Sequence, residues 1–160
     1  MFQVLIWVNI RIWRVEALLI DLDIIYKMLQ VKTYLDKSPI HGIGVFAAQE
    51  IQEGNLVWMF EPRIDKVLSI SDLSENLTLI ERQFIETYAY FDKQLNKYVL
   101  SADNDRFTNH SNDPNTFPLS TSEVVACRDI HVGEEITINY FAIDNFAEKH
   151  IFGMKNEHLD

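Results

Sequence analysis

The sequence predicts a mostly β domain, built of short strands in small sheets, with one inserted helical segment. Three observations carry this expectation. Brief apolar runs recur between residues 31 and 140, separated by turns that hold Gly, Asn or Asp. One longer stretch, residues 72–90, has helical spacing instead. The chain has 160 residues and is 48% hydrophobic, which suits one domain with its own core and argues against disorder over most of the length.

Taken in order, "VKTYL" (31–35) alternates as a half-buried strand does, and "GVFAA" (44–48) is apolar after a glycine turn. A turn at Glu53 and Gly54 splits "EIQEGNLVWMF" (50–60) and leaves its second half as a strand. Leu73, Leu77, Ile80, Phe84, Ile85 and Tyr88 fall at spacings of 3, 4 and 7, one face of a helix, and Asp72 with Glu75 resembles its capping box. "KYVL" (97–100) reads as a strand, followed by the polar run "RFTNHSNDPN" (106–115). "EVVACRDI" (123–130) and "EEITINYF" (134–141) are two further strands about a tight turn at Val132 and Gly133, with Ile136 and Ile138 on one side of the second. Residues 145–160 are weakly helical or loose.

Residues 1–30 are apolar but interrupted by Arg11, Arg14, Glu16, Asp21 and Asp23. The longest charge-free run is the first ten residues, against the ~20 that a spanning helix requires. A basic start and a small-residue cleavage site, the marks of a signal peptide, are missing. Three readings stand: a helix packed on the domain or on a partner, a strand and helix appended to the fold, or translation that begins at Met28. The last is preferred.

Composition narrows function. The formal charge is −10, from 14 basic and 24 acidic side chains. Such a surface repels a phosphate backbone, so direct nucleic-acid binding is disfavoured, and it suits either a Lys/Arg-rich partner or plain solubility. Cys127 is the sole cysteine, which excludes an intrachain disulfide and a cysteine-based zinc site and fits a reducing, intracellular location. His41, His110, His131, His150 and His158 form no i, i+4 pair, and no metal site is expected.

Three motifs stand out, each with a plain structural explanation when taken singly. In "KSPIHGIGVFA" (37–47) two glycines let backbone approach backbone or a ligand closely. Gly44 leads into a strand rather than a helix, which argues against a dinucleotide site and leaves a hairpin turn. In "RFTNHSNDPN", Asn and Asp fix turns through their own backbone, as a surface loop does, while Asn109 and His110 also offer amide and ring groups to a polar ligand. In "VGEEITINY" (132–140), Tyr140 alone reads as a half-buried tyrosine at a strand end, and Glu134 and Glu135 as solvated turn charges.

Together and in this order, the three motifs resemble those of the SET-domain lysine methyltransferases, over about residues 31–146; the size is similar to that of the minimal stand-alone members. The resemblance implies a SET domain at 31–146, an N-terminal extension at 1–30 and a tail at 147–160. It also implies a C-terminal pseudoknot, in which the segment after the N-H-S run is threaded through a loop. Threading is rare among folds, and a buried polar segment must find its bonds internally, here from Asn109, Ser111, Asn112 and Asn115. The implied cofactor is S-adenosyl-L-methionine and the implied reaction is methyl transfer to the ε-amine of a lysine in a basic protein or peptide. The alternative is a catalytically silent module that binds cofactor or a basic tail as an adaptor.

Residue by residue, the resemblance gives His41, Gly42, Ile43 and Gly44 the cofactor's amino-acid end. Asn109 and His110 hold the cofactor, Arg106 flanks it, and Phe146 stacks on adenine. Tyr88 and Tyr90 line the lysine channel. Tyr140 points its hydroxyl at the transfer point and is not a general base, since a phenol near pKa ~10 stays protonated at neutral pH. No Cys-rich, zinc-binding segment follows Tyr140, unlike many histone-directed relatives. Residues 141–154 or a second copy of the chain, as a homodimer, are expected to complete the channel wall. Asn139 stands where Asp is common in the family, with little effect expected.

Overall fold

The computed structural model describes residues 28–74, 77–144 and 147. The expectations for residues 1–27, Glu75, Phe146 and the tail fall outside them. Among the described residues, short strands form three small sheets. The first runs in the order β1 (Met28–Leu29), β4 (Leu56–Met59), β10 (Glu123–Ala126), β9 (Thr116–Ser120). The second runs β2 (Thr33–Lys37), β3 (Ile43–Ala47), β11 (Glu135–Ile138), β8 (Asn109–His110). The third runs β5 (Lys66–Leu68), β7 (Lys97–Leu100), β6 (Tyr90–Asp92). The mostly β expectation holds.

The strand pairs are antiparallel except β8 with β11, which run parallel with Asn109 opposite Thr137 and His110 opposite Ile138. That pairing brings the N-H-S motif against the last motif although 26 residues separate Asn109 from Glu135. Val45, Ala47, Ile51, Val57, Ala126, Ile130 and Ile136 form the core, with Leu29, Val31 and Phe107 packed on it. Ile136 and Ile138 are both buried, and so is Thr137 between them, so β11 is covered on both faces. Burying such side chains is worth roughly 1.5–3 kcal/mol each. Phe107 and Phe117, which bracket the polar run, part company: the first packs on the core and the second is exposed on β9.

The helical segment is two helices rather than one, α1 (Ile70–Ser74) and α2 (Leu79–Tyr88). Asp72 closes a box with Ser69, whose backbone N–H and hydroxyl both donate to it, at 2.6 and 2.7 Å. A second box starts α2, with Thr78 and Glu81 satisfying each other's backbone N–H. Within α2 itself only a narrow face is covered, so the six apolar residues do not share one buried face. Ile85 is buried and Tyr88 half-buried, whereas Ile80 is 77% exposed and Phe84 also faces out.

Candidate functional site

The G-x-G turn is closed by Ser38, whose N–H donates to the Gly42 carbonyl at 3.0 Å. Gly42 has φ +52, a left-handed conformation that side chains resist. Gly44 is needed for a different reason. A Cβ there would run into the Glu135 carboxylate and lie 3.1 Å from Ser38 Cβ. The turn is clamped from behind by Asn109, which is buried and donates through Nδ2 to the carbonyls of His41 (3.0 Å) and Ile43 (3.2 Å) and to Glu135 Oε1 (2.8 Å). Ser38 Oγ lies 2.9 Å from both Glu135 oxygens.

The expectation that Glu134 and Glu135 are solvated turn charges is therefore overturned. Glu135 is the carboxylate that ties the first motif to the second. Glu134 pairs with Arg128 at 2.6 Å and accepts from Asn115 at 3.0 Å. Burial raises the Glu134 carboxyl, but those bonds outweigh it and hold the group below the usual carboxylate range. The signal that sequence reasoning missed is alternation: Glu135 and Thr137 occupy the β11 face opposite to Ile136 and Ile138.

Of the four polar residues expected to satisfy the N-H-S run internally, two do so across the chain. Asn115 donates to the Glu135 carbonyl (2.8 Å) and accepts from the Thr137 N–H (2.8 Å), and it is buried like Asn109. The other two act locally. Ser111 Oγ accepts from Asp113 N at 3.0 Å, and exposed Asn112 bonds His110. The reason is that β8 ends at His110 and the chain turns outward before Asn115 returns it to the interior.

Tyr140 does not end a strand. Asn139 caps α3 (Tyr140–Ile143) by accepting from the Phe141 N–H at 3.0 Å, and Tyr140 is the helix's first residue. Its own N–H donates to His110 Nδ1 at 3.1 Å. That makes Nδ1 an acceptor, so the imidazole proton sits on Nε2, 3.2 Å from Asn112 Oδ1. The two rings lie 5.4 Å apart. The Tyr140 hydroxyl donates to the Thr108 carbonyl at 2.8 Å. Burial first, then the charges of Asp105 and Asp144, push this phenol well above its ordinary pKa, so it remains a hydroxyl donor.

Behind Tyr140 lies a cavity of about 80 Å³. Tyr88, Tyr90 and Tyr140 line it with Thr108 and Arg106. Tyr90 is likewise pushed up by burial and by Asp105. Arg106 turns its guanidinium to the Ala102 carbonyl at 3.1 Å and over the Phe107 ring at 5.0 Å. His41, Gly42, Ile43, Gly44, Asn109 and His110 are not part of the cavity wall. They gather instead on the neighbouring side of β8, because Thr108 faces the cavity and Asn109 the turn. The sequence-derived residues thus form two adjoining groups, joined where Tyr140 meets His110 and Thr108. Phe146 lies outside the described residues.

A glycine turn clamped to an asparagine–histidine pair thus adjoins a tyrosine-lined cavity one residue away. Residues 42–141 match the SET domain family model, and the chain belongs to that family. It is 32% identical to the variant-silencing SET domain-containing protein of Plasmodium falciparum, an alignment covering 75% of this chain and 5% of that protein. It is 30% identical to a P. falciparum protein provisionally named histone-lysine N-methyltransferase 1, covering 74% of this chain and 2% of that protein. The chain therefore spans only a few per cent of the length of these relatives. Among solved structures, Chaetomium thermophilum Polycomb Repressive Complex 2 bound to GSK126 is similar in fold, with TM-score 0.55, 23% identity, and coverage of 76% of this chain and 17% of that one.

Proposed function

We propose that the chain transfers a methyl group from S-adenosylmethionine to the ε-amine of a lysine in a basic protein or peptide. The observation that carries this is the direct join between the two halves of the site: the Tyr140 backbone bonds His110, and the neighbouring Asn109 holds the G-x-G turn. The residues present fit the cofactor. The turn is exposed at Ile40 and Ile43, and Gly42 is open on the side where a Cβ would project. Asn109 Oδ1 accepts no bond among the described residues, which leaves an acceptor beside the turn. His41 to Gly44 would hold the amino-acid end, and Asn109 and His110 the adenine side, while Arg106 lines the neighbouring cavity.

The sulfonium supplies an electrophilic methyl group when bound, so the protein's task is alignment and exclusion of water. Tyr88, Tyr90 and Tyr140 narrow the cavity around an aliphatic side chain, and such positioning is worth on the order of 7–11 kcal/mol at best. The Tyr140 hydroxyl, fixed by Thr108, orients the nitrogen without removing its proton. The net charge of −10 draws basic substrates toward the site. Exposed, unbridged Cys127 accords with a reducing intracellular setting. Residues 141–154, or a second copy of the chain, would complete the substrate-side wall.

The test is transfer of labelled methyl from S-adenosylmethionine to histones, ribosomal proteins and basic peptides. Label on lysine supports the proposal. Cofactor and peptide binding without turnover would give the adaptor instead, and failure to bind cofactor would remove both.

A further inference from the structure

The cavity behind Tyr140 holds a carboxylate that methyl transfer, as outlined above, does not use. Asp105 sits in the 3-10 turn Asn104–Phe107, lines the cavity, and is half-buried. Its partners are two hydroxyls, Ser101 Oγ at 3.0 Å and Thr108 Oγ1 at 3.3 Å. Among the described residues it has no cationic partner. Arg106, the adjacent residue, points its guanidinium elsewhere. A carboxylate withdrawn from water without a counter-charge is costly, and such groups gather where chemistry needs them. Another acid on the wall, Asp92, is already committed: its Oδ1 accepts from the N–H groups of Gln94 and Leu95, both at 2.8 Å. The wall also includes Trp58, 98% buried, whose indole N–H has no acceptor among the described residues. The uncompensated carboxylate suits an occupant that carries a cation, as a lysine side chain does.

We propose that Asp105 is a catalytic residue: its carboxylate pairs with the ε-ammonium of the entering lysine and accepts the proton that must leave before the nitrogen can take a methyl group. One N–H bond of the ammonium breaks and its electron pair stays on nitrogen. The proton joins an Asp105 oxygen, turning carboxylate to carboxylic acid, and returns to solvent after product leaves. This rests on the methyl-transfer reading.

The surroundings tune the group for the task. Burial and the neighbouring Asp103 carboxylate push Asp105 up to about 7, against hydrogen bonds from Ser101 and Thr108 that lower it. Asp65, held by the Ala102 N–H, adds a further negative charge from the loop after β4. From β6 and α3 the facing groups are Tyr90 and Tyr140, both neutral. Asp92 and Asp144 are the remaining carboxylates on the wall. A base with its pKa near the operating pH is the most effective kind.

Two measurements on the full chain test this. First, the ¹³C resonance of the Asp105 carboxyl is titrated with n-butylammonium, a mimic of the lysine side chain, and with n-butanol as control. Asp105 is expected to respond to the cation alone, with its midpoint lowered because a nearby positive charge favours carboxylate. No response at Asp105, or the same response to both compounds, overturns the proposal whatever the turnover. Second, kcat/KM for a labelled basic substrate should rise through pH about 7 in the parent, since it reports the unliganded carboxyl. Asp105→Asn should lose that limb and fall roughly 100-fold at neutral pH, with cofactor affinity kept. A variant with the parent's rate and pH profile refutes the role of Asp105 and leaves methyl transfer standing. A parent that transfers no methyl group refutes the reaction, and the butylammonium titration still decides whether Asp105 receives an ammonium.

Discussion

Replacing Asn109 with alanine removes the clamp behind the G-x-G turn. The side chain donates to two backbone carbonyls and one carboxylate oxygen from a site that is 8% exposed. A bond to a charged acceptor contributes ~1.5–3 kcal/mol and one to a neutral carbonyl ~0.5–1.5 kcal/mol; the amide's two hydrogens, shared among three acceptors, amount to one of each, so the loss is about 2–4.5 kcal/mol. For a domain of this size that lowers Tm by roughly 6–12 °C. Asn109→Asp should be worse than alanine at neutral pH. It keeps the size but removes both donors and sets a second carboxylate against Glu135. The new Asp would have a folded pKa above its unfolded value. Its penalty is therefore full above the folded pKa and fades as pH falls toward the unfolded one. Calorimetric melting of the parent and both variants at pH 7 and pH 5 checks this. Parent-like Tm for Asn109→Ala, or Asn109→Asp more stable than Asn109→Ala at pH 7, would refute the clamp.

Other consequences are as specific. Gly44→Ala should displace Glu135 and lower Tm by several degrees, whereas Gly42→Ala, with open space around the new carbon, should cost only the ~1–2 kcal/mol of left-handed backbone, both read by thermal melting. Tyr140→Phe loses the bond to Thr108, so stability should fall by about 1 kcal/mol and turnover far more, while calorimetry finds cofactor affinity kept. Asp105 has a folded pKa raised to about 7, so its destabilising charge develops as pH rises from about 4 to 7. Asp105→Asn should accordingly melt higher than the parent at pH 8, with the advantage shrinking by pH 5. His131 is raised by the Glu50 hydrogen bond and charge, so the stability from that exposed pair is present at low pH and lost as pH rises through the His131 pKa, a trend His131→Gln should abolish in a melting series.

Much of this site is legible in the sequence because backbone requirements leave fixed marks. Gly42, Asn109 and Tyr140 sit in three short motifs, and their order alone carries the family resemblance. What stays hidden depends on tertiary partners. Glu135 looks like a turn charge until Ser38 and Asn109 are seen against it. The strands β5 and β6 are too short to show alternation, and β9 is disguised by Pro118, which its edge position tolerates. The helical run 72–90 misleads because α2 covers only Ile85 and part of Tyr88 and leaves Ile80 and Phe84 exposed, which a count of apolar spacings does not register. Asp105 carries no motif; only the cavity shows its neighbours.

The most direct measurement follows isotopic methyl from S-adenosylmethionine in paired incubations of the parent and Tyr140→Phe with a basic protein mixture, the modified residue being located by mass spectrometry. Label on lysine ε-nitrogen with the parent, and its near absence with Tyr140→Phe at equal cofactor occupancy, is the predicted result. Cofactor bound by both proteins with no lysine labelled by either would contradict the account.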